Sequence, residues 1–368
     1  MATRRAVLQG LLASLALSNL PWTARWASAS TSSSTLLSAM TNLAGDHFIC
    51  LEPVGDSAGD TLAVSNRCHG GCQRPGSDEA VVVERRPGRS FHVIQTCAGR
   101  IIRAVHAGEE HHFFGHAVFS HDGRRLYVTA NHVPSGEGQL HVYDATAGYT
   151  LAAIFPVGGI DPHEIRLLPD GSRLVIAMGG ILTHPDYDRI KLNLDTMQPA
   201  VIVMDRHEGR ILQRHSPSHH QLSAHHLDVD RHGMVVVGYQ YEGPEWEAPP
   251  LIGVLDSRDG TYREIAFNAD EQLRLRNYIA SVAVDPASGI AAVTAPRGNV
   301  VALFDYRTGE LKRLVEVQDV AGVVSEGTGF IVSSGRGGLY RVDASHDKAT
   351  LLNDSDRRWD NHLTWLSR

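Results

Sequence analysis

The chain has 368 residues, 42% of them apolar and 20% charged, with a formal net charge of −7. That acidic balance disfavours nucleic acid and anionic membrane surfaces as partners. Glycine is abundant and evenly spread, and no amphipathic helical stretch is recognisable after residue 45, so a turn-rich all-β chain is expected.

Residues 1–29 read as a targeting segment. Thr3-Arg4-Arg5-Ala6-Val7-Leu8 is a twin-arginine pattern, an apolar run follows from Ala6 to Leu20, and Ala27-Ser28-Ala29 is a small-x-small cleavage signal. The apolar run is too short for a permanent anchor, so stable membrane insertion is not expected. The address implied is the bacterial periplasm, reached in the folded state, a route suited to a protein that acquires a metal or cofactor before export. Loss of Arg4, Arg5 and Arg25 makes the remainder more acidic still. Residues 30–35 are Ser/Thr-rich and read as a flexible leader. Residues 36–368 are expected to form one domain and to be a monomer.

Cys50, Cys68, Cys72 and Cys97 lie in the first third of the chain. In an oxidising compartment at least one disulfide is expected, its connectivity open. Alternatively, Cys68 and Cys72 would offer thiolates to a metal beside His69.

From residue 36 onward short strands succeed one another. Leu36–Met40, His47–Leu51 and Thr61–Val64 come first. Four-strand units then open at His69, His116, His163, His226, Ser281 and Gly322, and a final strand carries His362. The starts lie roughly 40 to 60 residues apart, the period of a β-propeller blade. Asp144–Gly148, Asp205–Gly209, Asp256–Gly260 and Asp305–Gly309 fall between third and fourth strands, a recurrent tight-hairpin signature. The last unit has one C-terminal strand, and the three strands before His69 are what it lacks. The reading is therefore a seven-bladed all-β propeller whose last blade joins the two chain ends and leaves no open edge.

The innermost strands of a propeller run along its channel, so their first positions converge at one mouth. Histidine holds that position in five of the seven units: His69, His116, His163, His226 and His362. Converging neutral imidazoles suit a first-row transition metal, iron or copper in preference and zinc as a further option. Asp161, Glu164, Asp228 and Asp360 are placed to orient the rings. The repeats are out of register by one residue at His163, so either His163 or Glu164 faces the channel. His225 is expected to point away from His226, and His112 to reach in from the loop above the channel. The third unit carries a long insertion in which His184, Asp186 and Arg189 are candidates for a lid or a partner contact.

Several further segments carry a family resemblance: Glu84-Arg85-Arg86-Pro87-Gly88, His112-Phe113-Phe114-Gly115-His116, Gly159-Ile160-Asp161-Pro162-His163-Glu164, Gly179-Gly180-Ile181 with Thr183-His184-Pro185-Asp186, Lys191-Leu192-Asn193-Leu194-Asp195-Thr196-Met197, and Ala295-Pro296-Arg297-Gly298. Together they resemble the exported proteins of domain of unknown function 1513. The resemblance implies a seven-bladed periplasmic propeller encoded beside imelysin-like and di-haem-peroxidase-like proteins, and hence iron or copper handling with such partners. Ala224-His225-His226 departs from the usual Arg-His of that family, and the Cys68/Cys72 pair is atypical of it.

Three functions are compatible with this reading. The first is a periplasmic metal-binding propeller serving metal uptake, homeostasis or redox exchange. The second is a metal-dependent enzyme at the same mouth, an oxidase or a lactonase-like hydrolase. The third is a metal-free interaction scaffold, its histidines tying blades together through backbone carbonyls.

Overall fold

The computed structural model describes residues 35–55, 59–187 and 190–367. The targeting segment and all of the leader but Thr35 lie outside the described residues, as does Arg189.

Each unit read from the repeat is one four-stranded antiparallel sheet, and seven such sheets form the propeller. The first blade is β4 (Cys68–Gln73), β5 (Glu79–Glu84), β6 (Ser90–Gln95) and β7 (Arg100–His106). The second is β8 (His111–Phe119), β9 (Arg125–His132), β10 (Glu137–Asp144) and β11 (Thr150–Pro156). The third is β12 (Pro162–Leu167), β13 (Arg173–Met178), β14 (Ala200–Asp205) and β15 (Ile211–His215), and the fourth is β16 (Leu222–Val229), β17 (Met234–Tyr241), β18 (Ile252–Asp256) and β19 (Thr261–Ile265). The fifth is β20 (Ser281–Asp285), β21 (Ile290–Ala295), β22 (Val300–Asp305) and β23 (Leu311–Glu316), and the sixth is β24 (Val320–Glu326), β25 (Gly329–Ser334), β26 (Leu339–Val342) and β27 (Thr350–Asn353).

The seventh blade closes the ring. Its inner strand is the C-terminal β28 (Arg358–Leu366), followed outward by β1 (Thr35–Thr41), β2 (His47–Pro53) and β3 (Asp60–Val64). Thr35 pairs with Leu366 and Leu37 with Thr364, so strands from opposite ends of the chain share one ladder.

Blades pack face to face through apolar side chains. Leu37, Ile49 and Leu51 of the closing blade meet Val82 and Ile94 of the first. Leu36, Trp359 and Leu363 of the closing blade meet Ile331 and Leu339 of the sixth. The outermost strands are more exposed, as edges must be.

The Asp-x-x-x-Gly turns do what their residues suggest. The Asp144 carboxylate accepts the amides of Thr146 and Ala147, at 2.9 and 3.2 Å, and the Asp205 and Asp305 carboxylates do the same one and three blades on. Between the fourth and fifth blades, where the sequence suggests no helix, lies the short helix α1 (Ala269–Arg274), which a reciprocal cap between Asn268 and Glu271 stabilises. At six residues it is too short to display an amphipathic period.

Ring closure predicts a specific fragility. Ending the chain after Arg357 deletes β28, uncovers the paired edge of β1 and removes Trp359, Leu363 and Leu366 from the core. Each large buried side chain is worth about 2–5 kcal/mol, against a total stability of about 5–15 kcal/mol. The truncated protein is expected to lose its cooperative thermal transition, as followed by circular dichroism.

Candidate metal centre

In six of the seven inner strands the pairing register slips, by one extra residue in four of them and by two in β8 and β28. The slips fall between Cys68 and Gly71, Phe113 and Ala117, Pro162 and Ile165, Ala224 and His226, and Val320 and Val323, and opposite Ser38–Met40 in β28. Every central histidine sits in or beside one of these bulges. A bulge cancels strict alternation, so neighbouring residues can both turn toward the channel. His163 and Glu164 are accordingly both buried at the centre, where strict alternation allowed only one.

Hydroxyl groups satisfy carbonyls that the irregular backbone exposes. Thr129 Oγ1 lies 3.3 Å from the His116 carbonyl and 3.2 Å from that of His163, and Ser38 Oγ donates to the His362 carbonyl at 2.7 Å. Gly115, at φ 106°, and Gly70 leave the room the rings need. A Cβ on Gly115 would lie 2.8 Å from the His69 ring, and one on Gly70 would lie 2.9 Å from His116 Nδ1.

The five expected histidines converge. Ring centroids are 4.5 Å apart for His69 and His362, 4.6 Å for His116 and His362, 4.8 Å for His226 and His362, and 5.2 Å for His116 and His163. Two triads, His69–His116–His163 and His116–His226–His362, each bring their ligand atoms within 4.8 Å of one another. All five rings are buried, and the Nε2 atoms of His116 and His362 have no hydrogen-bond partner. This is a histidine group that could bind a metal ion.

Two carboxylates set the rings. His69 Nδ1 lies 2.6 Å from Asp360 Oδ1, while Arg67 pairs with the other Asp360 oxygen. Glu164 takes Arg166 Nη1 at 2.6 Å, the Leu227 amide at 3.1 Å and His226 Nδ1 at 3.2 Å. An ionised carboxylate only accepts, so Nδ1 carries the hydrogen in His69 and His226 and Nε2 is left with its lone pair. The Arg166 guanidinium and the nearby imidazoles hold Glu164 well below the usual carboxylate range against the opposing effect of burial, and Asp360 is likewise depressed beside His69 and Arg67.

Burial favours the uncharged form of most of these rings. Burial pushes His69 down to about 4, and drives His116, His163, His225 and His362 well below the ordinary histidine value. Neutral imidazole is the form that binds metal.

Over the cluster lies a cavity of about 240 Å³, lined among others by His69, His163, His225 and His226. Its rim is cationic, with Arg85, Arg86, Lys191 and Arg297 against the single acid Glu242, which pairs with Lys191. Arg297 stacks on Tyr278 at 4.3 Å.

The insertion reaches this cavity through Ile181 and Lys191 rather than through the expected His184 and Asp186. Those two form a local pair, with His184 Nδ1 3.6 Å from an Asp186 oxygen and its ring against Tyr187. His112 is also corrected. It belongs to β8 rather than to a loop, is buried, and bonds the Phe113 carbonyl at 3.2 Å while packing on Phe114, a cavity wall. Its role is to support that wall.

The cysteines are four free thiols, Cys50 and Cys68 buried and Cys97 exposed, so the expected disulfide does not form. Burial pushes the Cys50 and Cys72 thiols up to about 12 and raises Cys68 too, which disfavours thiolate ligation.

Sequence reasoning misplaced His225. It is buried with its ring 4.2 Å from that of His163, because the slip between Ala224 and His226 turns both consecutive histidines inward. The doubled His225-His226 was the available signal.

A family model described as protein of unknown function (DUF1513) matches residues 62–366. No curated protein sequence matches the chain. Among solved structures, the chain is similar to hydrazine synthase of Kuenenia stuttgartiensis, at 14% identity over 86% of this chain and 95% of that one, with a TM-score of 0.58. At that identity the likeness is one of fold alone.

A pH dependence follows from the neutral imidazoles. Unfolded histidines take up protons below about pH 6.5, whereas the folded rings stay neutral well below that. The unfolded state then binds more protons, so stability is full above pH 6.5 and falls as pH drops, by up to about 1.4 kcal/mol per unit for each such ring. Urea unfolding of the metal-free protein at pH 7.5 and pH 5.5, values chosen for the test on either side of about 6.5, is expected to differ by several kcal/mol. An unchanged midpoint would contradict the assigned protonation.

Proposed function

The chain belongs to the family described as proteins of unknown function (DUF1513), and from its centre we propose that it is a periplasmic metal-binding propeller that holds iron or copper on its axial histidines and serves metal uptake or redox exchange. The observation that carries this is the set of five buried imidazoles with the Nε2 atoms of His116 and His362 unpartnered. Burying an unpaired polar atom costs about 1–3 kcal/mol, and a metal removes that cost. The all-nitrogen donor set suits copper, zinc or iron and not a hard oxygen-seeking ion.

The twin-arginine leader supports the address, since export in the folded state lets a buried centre be loaded first. Imelysin-like and di-haem-peroxidase-like proteins are the proposed partners in exchange. The loops at the cavity offer a place for them, because those same loops carry exposed Tyr187, Ile190, Leu192 and Trp246.

Protein recovered from the periplasm with its own leader is expected to contain stoichiometric iron or copper by elemental mass spectrometry. The double substitution His116→Ala/His226→Ala is expected to lower that content at least tenfold with the circular dichroism spectrum unchanged. Metal content untouched by the double substitution would defeat the proposal.

Asp360→Asn tests the orienting carboxylate. Loss of such a partner typically weakens metal affinity about 10–100-fold. The expected readout is that shift in a competitive chelator titration, with the fold retained.

A further inference from the structure

Beside the axial cluster stands a second group, Asp161, His163 and His225, whose ligand atoms lie within 4.8 Å of one another. All three residues are at least nine-tenths buried. His163 Nδ1 and Asp161 Oδ1 are 3.7 Å apart, too far for a hydrogen bond, and His163 Nδ1 and Asp161 Oδ2 have no partner. His225 Nδ1 lies 3.3 Å from the Ser223 carbonyl. A carbonyl only accepts, so Nδ1 carries the hydrogen and Nε2 keeps its lone pair.

The backbone is shaped around the carboxylate. Asp161 has φ 60°, an uncommon conformation for a residue with a side chain. It is held there by the Gly179 amide on the Asp161 carbonyl at 2.7 Å and the Gly180 amide on the Ile160 carbonyl at 3.1 Å. Any Cβ at position 179 would collide with Asp161 Oδ2. Among the described residues the only charged group bonded to the carboxylate is Arg86, at 3.4 Å from Oδ1, and Oδ2 has no hydrogen-bond partner.

We propose that Asp161, His163 and His225 form a second metal position, sharing His163 with the axial cluster and selecting Fe(II). Two imidazoles and one carboxylate, with the remaining coordination positions open, are the donor set of non-haem ferrous sites. To serve both positions at once the His163 ring releases its N–H proton to solvent and bridges as an imidazolate, one nitrogen to each ion. His163 and His225 line the cavity, so the second position is reached from it. The inference rests on the axial cluster being a metal site.

The test is anaerobic loading of the full chain with Fe(II), counting ions per molecule by native mass spectrometry. Wild type is expected to hold two. Asp161→Asn and His225→Ala are each expected to hold one, and His116→Ala/His362→Ala to keep the other. His225→Gln substitutes where the alanine variant does not fold, as judged by its thermal transition. Retention of two ions by both Asp161→Asn and the His225 variant overturns the second position. So does a wild-type count of one that vanishes with His116→Ala/His362→Ala and survives loss of His225, an outcome that leaves the proposed function standing. A wild-type count of zero overturns the second position together with the iron form of the proposed function, and a copper count of zero under the same loading overturns the proposed function itself.

Discussion

The centre depends on one kind of backbone irregularity, the one or two extra residues in six of the seven inner strands, at the level of the histidines where those strands carry them. Strict alternation would send every second side chain away from the axis and leave one imidazole per blade. The register slips at six inner strands let adjacent residues turn inward together. His163 with Glu164, and His225 with His226, are the result. The blade without a slip, the fifth, contributes Ser281 and no imidazole. Hydroxyls of Thr129 and Ser38 then bind carbonyls in the irregular stretches, while ring nitrogens of His116, His163 and His362 stay unpartnered.

Electrostatics makes that crowding tolerable. Several imidazoles within about 5 Å could not all be charged in a dry channel, where two like charges at that distance repel by about 3 kcal/mol even at an effective dielectric of 20. Neutrality removes the repulsion. The fixed negative charges, Asp360 and Glu164, are each offset by an arginine, Arg67 and Arg166, and each orients one ring. The centre is thus close to balanced without metal, while its unpartnered nitrogens favour a Lewis acid. The opposite mouth, around Cys72, Asp228 and Arg166, has no such cluster of imidazoles among the described residues.

The approach to the centre has the other sign. Arg85, Arg86 and Arg297 line a cavity whose one acid among the described residues, Glu242, is already paired with Lys191. A bare cation meets a repulsive field there, and a metal carried by an anionic ligand or partner meets an attractive one. The long third-unit insertion shapes this entrance through Ile181 and Lys191, so its contribution is to the wall and the charge.

Sequence alone determined the repeat, the number of blades, the closure by the two chain ends, and the five axial histidines. These follow from local chemistry that recurs: an apolar strand, a turn residue with its carboxylate, a histidine at one place in the unit. Tertiary structure alone decided which neighbours of those histidines face inward. The inward turn of His225, the joint burial of His163 and Glu164, the strained Asp161 and the idle His184 all depend on where an unpaired residue is inserted between two strands. That insertion is set by pairing partners far away in the chain, and no residue type announces it locally. The free thiols have the same cause, because the distance between cysteines is a property of the closed ring.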